Sequence, residues 1–153
     1  MLSRILFVTD NCDTYKEYSI KNRDSEGNKP AAKEEMINAL KKISNEVYCT
    51  YSLQDANQYI LQFPDTFVVT TFYGEAAPDS KSLLPAICKT NNTCYLGADP
   101  YTQMLCNDKY LSKKYIEQFG LNYIPGIIIY SPNNLQELGE INNLHFPLIV
   151  KPN

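Results

Sequence analysis

Residues 66–72 read Thr-Phe-Val-Val-Thr-Thr-Phe, an unbroken run of β-branched and aromatic side chains. Side chains of this kind suit the pleated surface of a strand. Phe63-Pro64 before the run and Tyr73-Gly74 after it mark turns, so a strand over 66–72 is predicted with defined ends. Downstream, 80–89 predicts a short helix that must accommodate Pro85, and Thr93 to Leu96 predicts a brief strand that meets Gly97. Upstream, Ser52 with Asp55 three residues on resembles a capping box opening a helix over 54–62, and 47–51 predicts the strand before it.

Further upstream the same alternation continues. Arg4 to Thr9, Arg-Ile-Leu-Phe-Val-Thr, is an apolar run ending at Asp10-Asn11, the pattern of a buried parallel strand followed by a loop. Residues 12–29 are polar. Pro30 then introduces a helical segment in which Met36, Leu40 and Ile43 recur at helical spacing, predicting one buried face. The order β-α-β-α-β-α-β predicts an α/β fold, mainly a parallel sheet with helices on both faces. Ligands of such sheets sit beyond the carboxyl ends of the strands, which here are Asp10-Asn11, Tyr73-Gly74-Glu75 and Gly97-Ala98-Asp99.

Composition narrows the partners. The chain has 153 residues, 44% hydrophobic and 20% charged, with a net charge of -3. This fits one ordinary domain, or one domain and the start of another. Lys41-Lys42 and Lys113-Lys114 read as solvated helix faces rather than a basic stripe, which disfavours nucleic acid. Gly126 to Tyr130 and Ile5 to Val8 are too short for a membrane span or a signal core, so the expected location is cytoplasmic, with no membrane partner. The five cysteines, Cys12, Cys49, Cys88, Cys94 and Cys106, show no C-x-x-C spacing, and are expected to be buried free thiols rather than a disulfide framework or a zinc site. His145 is the single histidine; a packing or loop role is expected of it, and no metal site is predicted.

Neither common phosphate-cradling glycine loop is present. Lysines can hold phosphate oxygens as point charges instead, given rigid support. Two stand in suitable places. Lys109 follows Asp108 in the first turn of a helix expected to be capped by Asn107 and to run to Phe119, with Leu111, Tyr115, Ile116 and Phe119 on one face and Gly120 as its stop. Lys151 ends the apolar run Phe146 to Val150, a predicted strand, where an ammonium is costly to bury without an anion. Each lysine taken alone also fits an exposed surface position.

Taken in order, the run Gly97-Ala98-Asp99-Pro100 through Asp108-Lys109, Lys113, Gly120 and Pro125, followed by Pro147-Leu-Ile-Val-Lys151-Pro152, resembles ATP-grasp carboxylate–amine ligases. The motifs span about residues 94–153, and the nearest group is that of the D-alanine–D-alanine ligases. The resemblance implies a Rossmann-like pre-ATP-grasp domain over 1–97, a connecting helical segment over 98–120, and the start of the ATP-grasp core over 121–153. It further implies ATP with magnesium as cofactors, Lys109 and Lys151 on the ATP phosphates, and a small-molecule carboxylate and an amine as substrates. A homodimer stays open. The implied chemistry is phosphorylation of the carboxylate to an acylphosphate, then attack by the amine.

Glu17-Tyr18-Ser19-Ile20 and Tyr73-Gly74-Glu75 echo two substrate-side motifs of that group. Tyr15 stands where the first has glutamate, Tyr73 stands where the second has histidine, and residues 21–30 look inserted. Asp10, Glu17, Tyr73 and Glu75 are therefore candidates for substrate contact in a related ligase with a different acid or acceptor; no catalytic residue is assigned. The family's metal ligands and glycine-rich lid follow the Val-Lys-Pro strand, so the chain is expected to be a fragment that is inactive alone. Two rivals use the same fold. One is a non-catalytic α/β module for a ligand or partner. The other is a degenerate receiver-like regulatory domain, which lacks its phosphoacceptor because 66–71 ends in Thr70-Thr71.

Overall fold

Four consecutive apolar residues, Ile5 to Val8, are each at most 1% exposed, which puts their strand inside a sheet covered on both faces. The computed structural model describes residues 2–11, 30–72, 80–129 and 144–150. Strand β1 (Leu2–Val8) pairs in parallel with β2 (Ser44–Thr50) and with β3 (Phe67–Thr70), giving the order β2-β1-β3. Successive side chains point to opposite faces. Leu6, Val8 and Val68 meet Ala56 and Ile60 of α2 (Leu53–Gln62) and Leu84 and Cys88 of α3 (Ser80–Thr90). Ile5, Phe7 and Val69 face the other way, against Ile37 and Leu40 of α1 (Pro30–Leu40). This is the expected α/β class, a parallel sheet with helices on both faces.

Local chemistry sets the ends of these elements. Ser52 caps α2 by accepting from Asp55 N–H at 3.4 Å. The reciprocal half of a capping box is missing. The Asp55 side chain is one methylene shorter than the glutamate such a box uses, and it accepts instead from the Thr50 and Tyr48 hydroxyls. Pro85 lies on the buried face of α3; the helix continues through it and forgoes the bond that a backbone N–H at that position would have made. At the amino end of the sheet, Arg4 joins both flanks of its strand. It bonds Glu46 of β2 at 3.1 Å and Asp65 before β3 at 2.9 Å, with its guanidinium over the Phe63 ring.

Three expectations are corrected by packing. The α1 stripe is Ile37 and Leu40, while Met36 and Ile43 are exposed, because after Leu40 the chain tightens into i→i+3 turns that carry Ile43 out of helical register. The strand expected over 93–96 is a single parallel bridge, Val68 to Tyr95, held by Val68 N–H to Cys94 O and Leu96 N–H to Val68 O. Gly97 follows at φ 144°, an angle that favours glycine, and the pairing stops there. The described residues 121–129 and 144–150 form no strand. The apolar run from Phe146 to Val150 is exposed, and among the described residues no neighbouring strand satisfies its backbone.

Contacts divide the chain into two compact units, Met1–Gln103 and Met104–Asn153. Helix α4 (Pro100–Asn107) precedes α5 (Lys109–Gln118). Among the described residues there are five helices, and none is long and apolar enough to cross a membrane. Cys88 is buried and Cys49 half-buried, but Cys94 and Cys106 are exposed, so burial does not account for every thiol. Burial pushes the Cys88 thiol up to about 11, which keeps it protonated. Cys12 lies outside the described residues.

The core makes a direct prediction. Ile60→Ala should lower unfolding stability by about 2–5 kcal/mol, because Ile60 is 1% exposed between the sheet and α3. Ile43→Ala, at a 52% exposed position, should change it by less than about 0.5 kcal/mol. Urea denaturation of the two variants compares them directly.

Candidate functional site

With strand order β2-β1-β3, the chain leaves β1 toward one edge and returns on the other side, so the connections diverge beside β1 and β3. That divergence at the carboxyl ends is where an open parallel sheet forms its ligand crevice. Here threonines join the strand ends. Thr71 N–H bonds Val8 O at 3.0 Å, the Thr71 hydroxyl donates to the Thr9 hydroxyl at 2.9 Å, and Thr9 N–H bonds Thr50 O at 3.1 Å. The Thr70 hydroxyl donates to Val8 O at 3.1 Å and accepts from Phe72 N–H at 2.9 Å. These bonds lock the three strand ends into one floor.

Asp10 stands on that floor and is only 3% exposed. A carboxylate so enclosed is costly unless neighbours engage it, and Asp10 does have such an interaction. Sequence alone does not show these threonines bonding one another across the strand ends. Their signal was the polar character of Thr9, Thr70 and Thr71 at the end of otherwise apolar strands.

In the second unit, Asp108 is the N-cap of α5, accepting from Tyr110 N–H at 3.0 Å and Leu111 N–H at 2.8 Å. The cap is thus Asp108 rather than Asn107, which is the last residue of α4. Aspartate wins because its carboxylate reaches two first-turn amides and carries the charge that a helix start favours. Those two amides are already occupied by the Asp108 carboxylate, and Lys109 beside it is exposed.

Lys109 is the first residue of α5, and Lys113 lies one turn on, on the same side. A Cβ placed on Gly126 would come within 2.9 Å of Lys113 Nζ. The lysine therefore reaches across a position kept open by glycine. Farther along, the Tyr123 hydroxyl donates to Glu117 at 2.5 Å, and Lys114 pairs with Glu117 at 3.1 Å. Residues 117 and 123 meet, then 113 and 126, so the segment after α5 runs back along the helix toward Lys109. Leu111, Tyr115, Ile116 and Phe119, the residues expected on one face of α5, are exposed.

Of the residues singled out from sequence, Asp10 lies in the first unit and Lys109 in the second. Glu17, Tyr73, Glu75 and Lys151 lie outside the described residues. His145 is exposed, as a loop residue would be. Among the described residues no group of three or more His, Cys, Asp or Glu side chains is arranged to hold a metal ion. An open groove of about 410 Å³ between α2 and α3 is lined by Leu53, Leu83, Ile87, Thr90 and their neighbours; with no ionisable side chain in its lining, it offers no acid–base chemistry.

Part of the chain is similar to D-alanine–D-alanine ligases. It is 33% identical over 61 residues to the enzyme of Wigglesworthia glossinidia brevipalpis, a match covering 39% of this chain and 17% of that protein. It is 28% identical over 86 residues to the D-alanine–D-alanine ligase of Clostridium beijerinckii, covering 56% of this chain and 28% of that protein. The chain thus spans less than a third of the length of the curated relatives it matches. No protein-family model and no solved structure matches it.

The α5 contacts predict a pH dependence. The Tyr123 hydroxyl and then Lys114 hold the Glu117 carboxyl below its ordinary value of 4.5. A group lowered in the folded state adds stability above its unfolded pKa and loses that contribution as pH falls through its folded pKa. Carbon-detected NMR titration should therefore find Glu117 below an ordinary glutamate, and Tyr123→Phe should move its midpoint upward.

Proposed function

We propose that the chain is the amino-terminal part of an ATP-grasp ligase that joins a small-molecule carboxylate to an amine. The observation that carries the reading is the partial similarity to two D-alanine–D-alanine ligases. It is supported by the parallel β2-β1-β3 sheet and by a capped helix that starts at Asp108-Lys109 with Lys113 one turn later.

The chemistry follows from the poor electrophilicity of a carboxylate, whose leaving group would be oxide. Transfer of the γ-phosphoryl group of ATP to the carboxylate oxygen gives an acylphosphate. The amine then attacks the carbonyl carbon and phosphate leaves. Little covalent work falls to the protein in the first step; positioning and charge stabilisation dominate. Lys109, exposed at the start of a rigid helix, suits the phosphates, and Lys151 is the second cation in this reading. In this reading the magnesium ligands belong to the remainder of the parent enzyme.

On the substrate side, Asp10 contacts the substrate together with Glu17, Tyr73 and Glu75. Tyr15 and Tyr73 replace acidic and imidazole groups of the resembled motifs, which favours an acid or acceptor other than D-alanine. The setting is cytoplasmic, where ATP is supplied.

Two measurements test this. Calorimetric titration of ATP into the 153-residue chain should show no specific binding, because in this reading the metal ligands and the covering loop belong to the rest of the parent enzyme; micromolar affinity would contradict the fragment reading. A phosphate-release screen of the full-length gene product against amino and hydroxy acids should show ATP-dependent release with one acid–amine pair. Release with D-alanine alone would show that Tyr15 and Tyr73 leave specificity unchanged.

A further inference from the structure

At the opposite end of the sheet, two buried hydroxyls have no partner among the described residues. Thr66 is 2% exposed and Thr93 is 5% exposed, and neither Oγ1 has a hydrogen-bond partner among the described residues. The parallel bridge between Val68 and Tyr95 sets the register. Thr66 and Thr93 each stand two residues before that bridge. In extended chain, side chains two apart share a face, here the face on which Val68 and Tyr95 pack against α2 and α3.

Both threonines stand where a helix has just ended. Thr66 N–H bonds Phe63 O at 3.1 Å after α2, and Thr93 N–H bonds Cys88 O at 2.8 Å at the end of α3. Their amides are therefore used, and only the hydroxyls are left over. A helix end also leaves carbonyls without intrahelical donors, so acceptors are close by. Buried polar atoms in folded proteins nearly always find a partner, either protein or ordered water.

We infer that Thr66 and Thr93 form a binding site for one buried water molecule, bridging the two hydroxyls and donating to a carbonyl at the end of α2 or α3. Such waters commonly make about three hydrogen bonds, and this arrangement supplies that number. The bridge extends the join between β3 and residues 93–96 past the two backbone bonds around Val68. It gives a strand reduced to one bridge a second point of attachment. The site is independent of the ligase reading.

A high-resolution crystal structure of the chain should show a water within about 3 Å of both Oγ1 atoms. Density in which the hydroxyls bond each other or the backbone directly, with no water between, overturns the inference. Thermal unfolding supplies a second readout. Thr66→Val and Thr93→Val should each lower the melting temperature, since each removes one partner of the water and leaves the other hydroxyl short. The double variant, which needs no water, should lose less than the sum of the two. Strictly additive losses would show that the hydroxyls are independent and would also overturn it.

Discussion

Everything described in the first unit depends on the burial of Ile5, Leu6, Phe7 and Val8 from both faces of one strand. A strand apolar on one face needs cover on one side; a strand apolar on both needs helices on both. That constraint dictates parallel neighbours joined by crossover helices, with α1 on one side and α2 and α3 on the other. It also fixes the register, since a slip of one residue would exchange the Leu6–Val8 set with the Ile5–Phe7 set and misplace both cores. With the register fixed, Thr9 and Asp10 leave the sheet next to Thr70 and Thr71, and the hydroxyl floor follows without any further design.

The second unit rests on a different principle. Its described residues bury little, and α5 is organised by polar contacts along its length: Asp108 at the cap, Lys113 across Gly126, and Glu117 with Lys114 and Tyr123. These are exposed interactions, individually weak. They orient the helix and the segment after it rather than stabilise a core. Exposed apolar side chains remain on the same unit, among them Phe119, Ile124 and Ile149.

How much could be read from sequence divides along the same line. Strands β1 and β3 were legible because burial on both faces writes continuous apolar runs, and α2 because Ser52 gives its start. The α1 face was misplaced by one position, since the sequence does not show where helical spacing gives way to tighter turns after Leu40. Residues 93–96 and 146–150 look like strands by composition, yet pairing decides strands, and a partner strand is a tertiary fact. The threonine floor was hidden for a related reason: Thr70 and Thr71 serve strand propensity and hydrogen bonding equally, and only the β1–β3 register shows the second role. Lys109 was legible as the start of a helix, whereas the occupation of the first-turn amides by Asp108 was not.

Charge at the start of α5 is the link between the fold and the proposed chemistry. If Lys109 meets ATP phosphates, its removal weakens nucleotide binding without disturbing the helix, because Asp108 and not Lys109 makes the cap. The direct measurement is the KM for ATP of the full-length enzyme carrying Lys109→Met, with helicity followed by circular dichroism. A rise of about tenfold or more, as expected for loss of a charge-assisted contact, with helicity unchanged, is the predicted result. An unchanged KM in a well-folded, active variant would contradict the assignment of this lysine to the nucleotide.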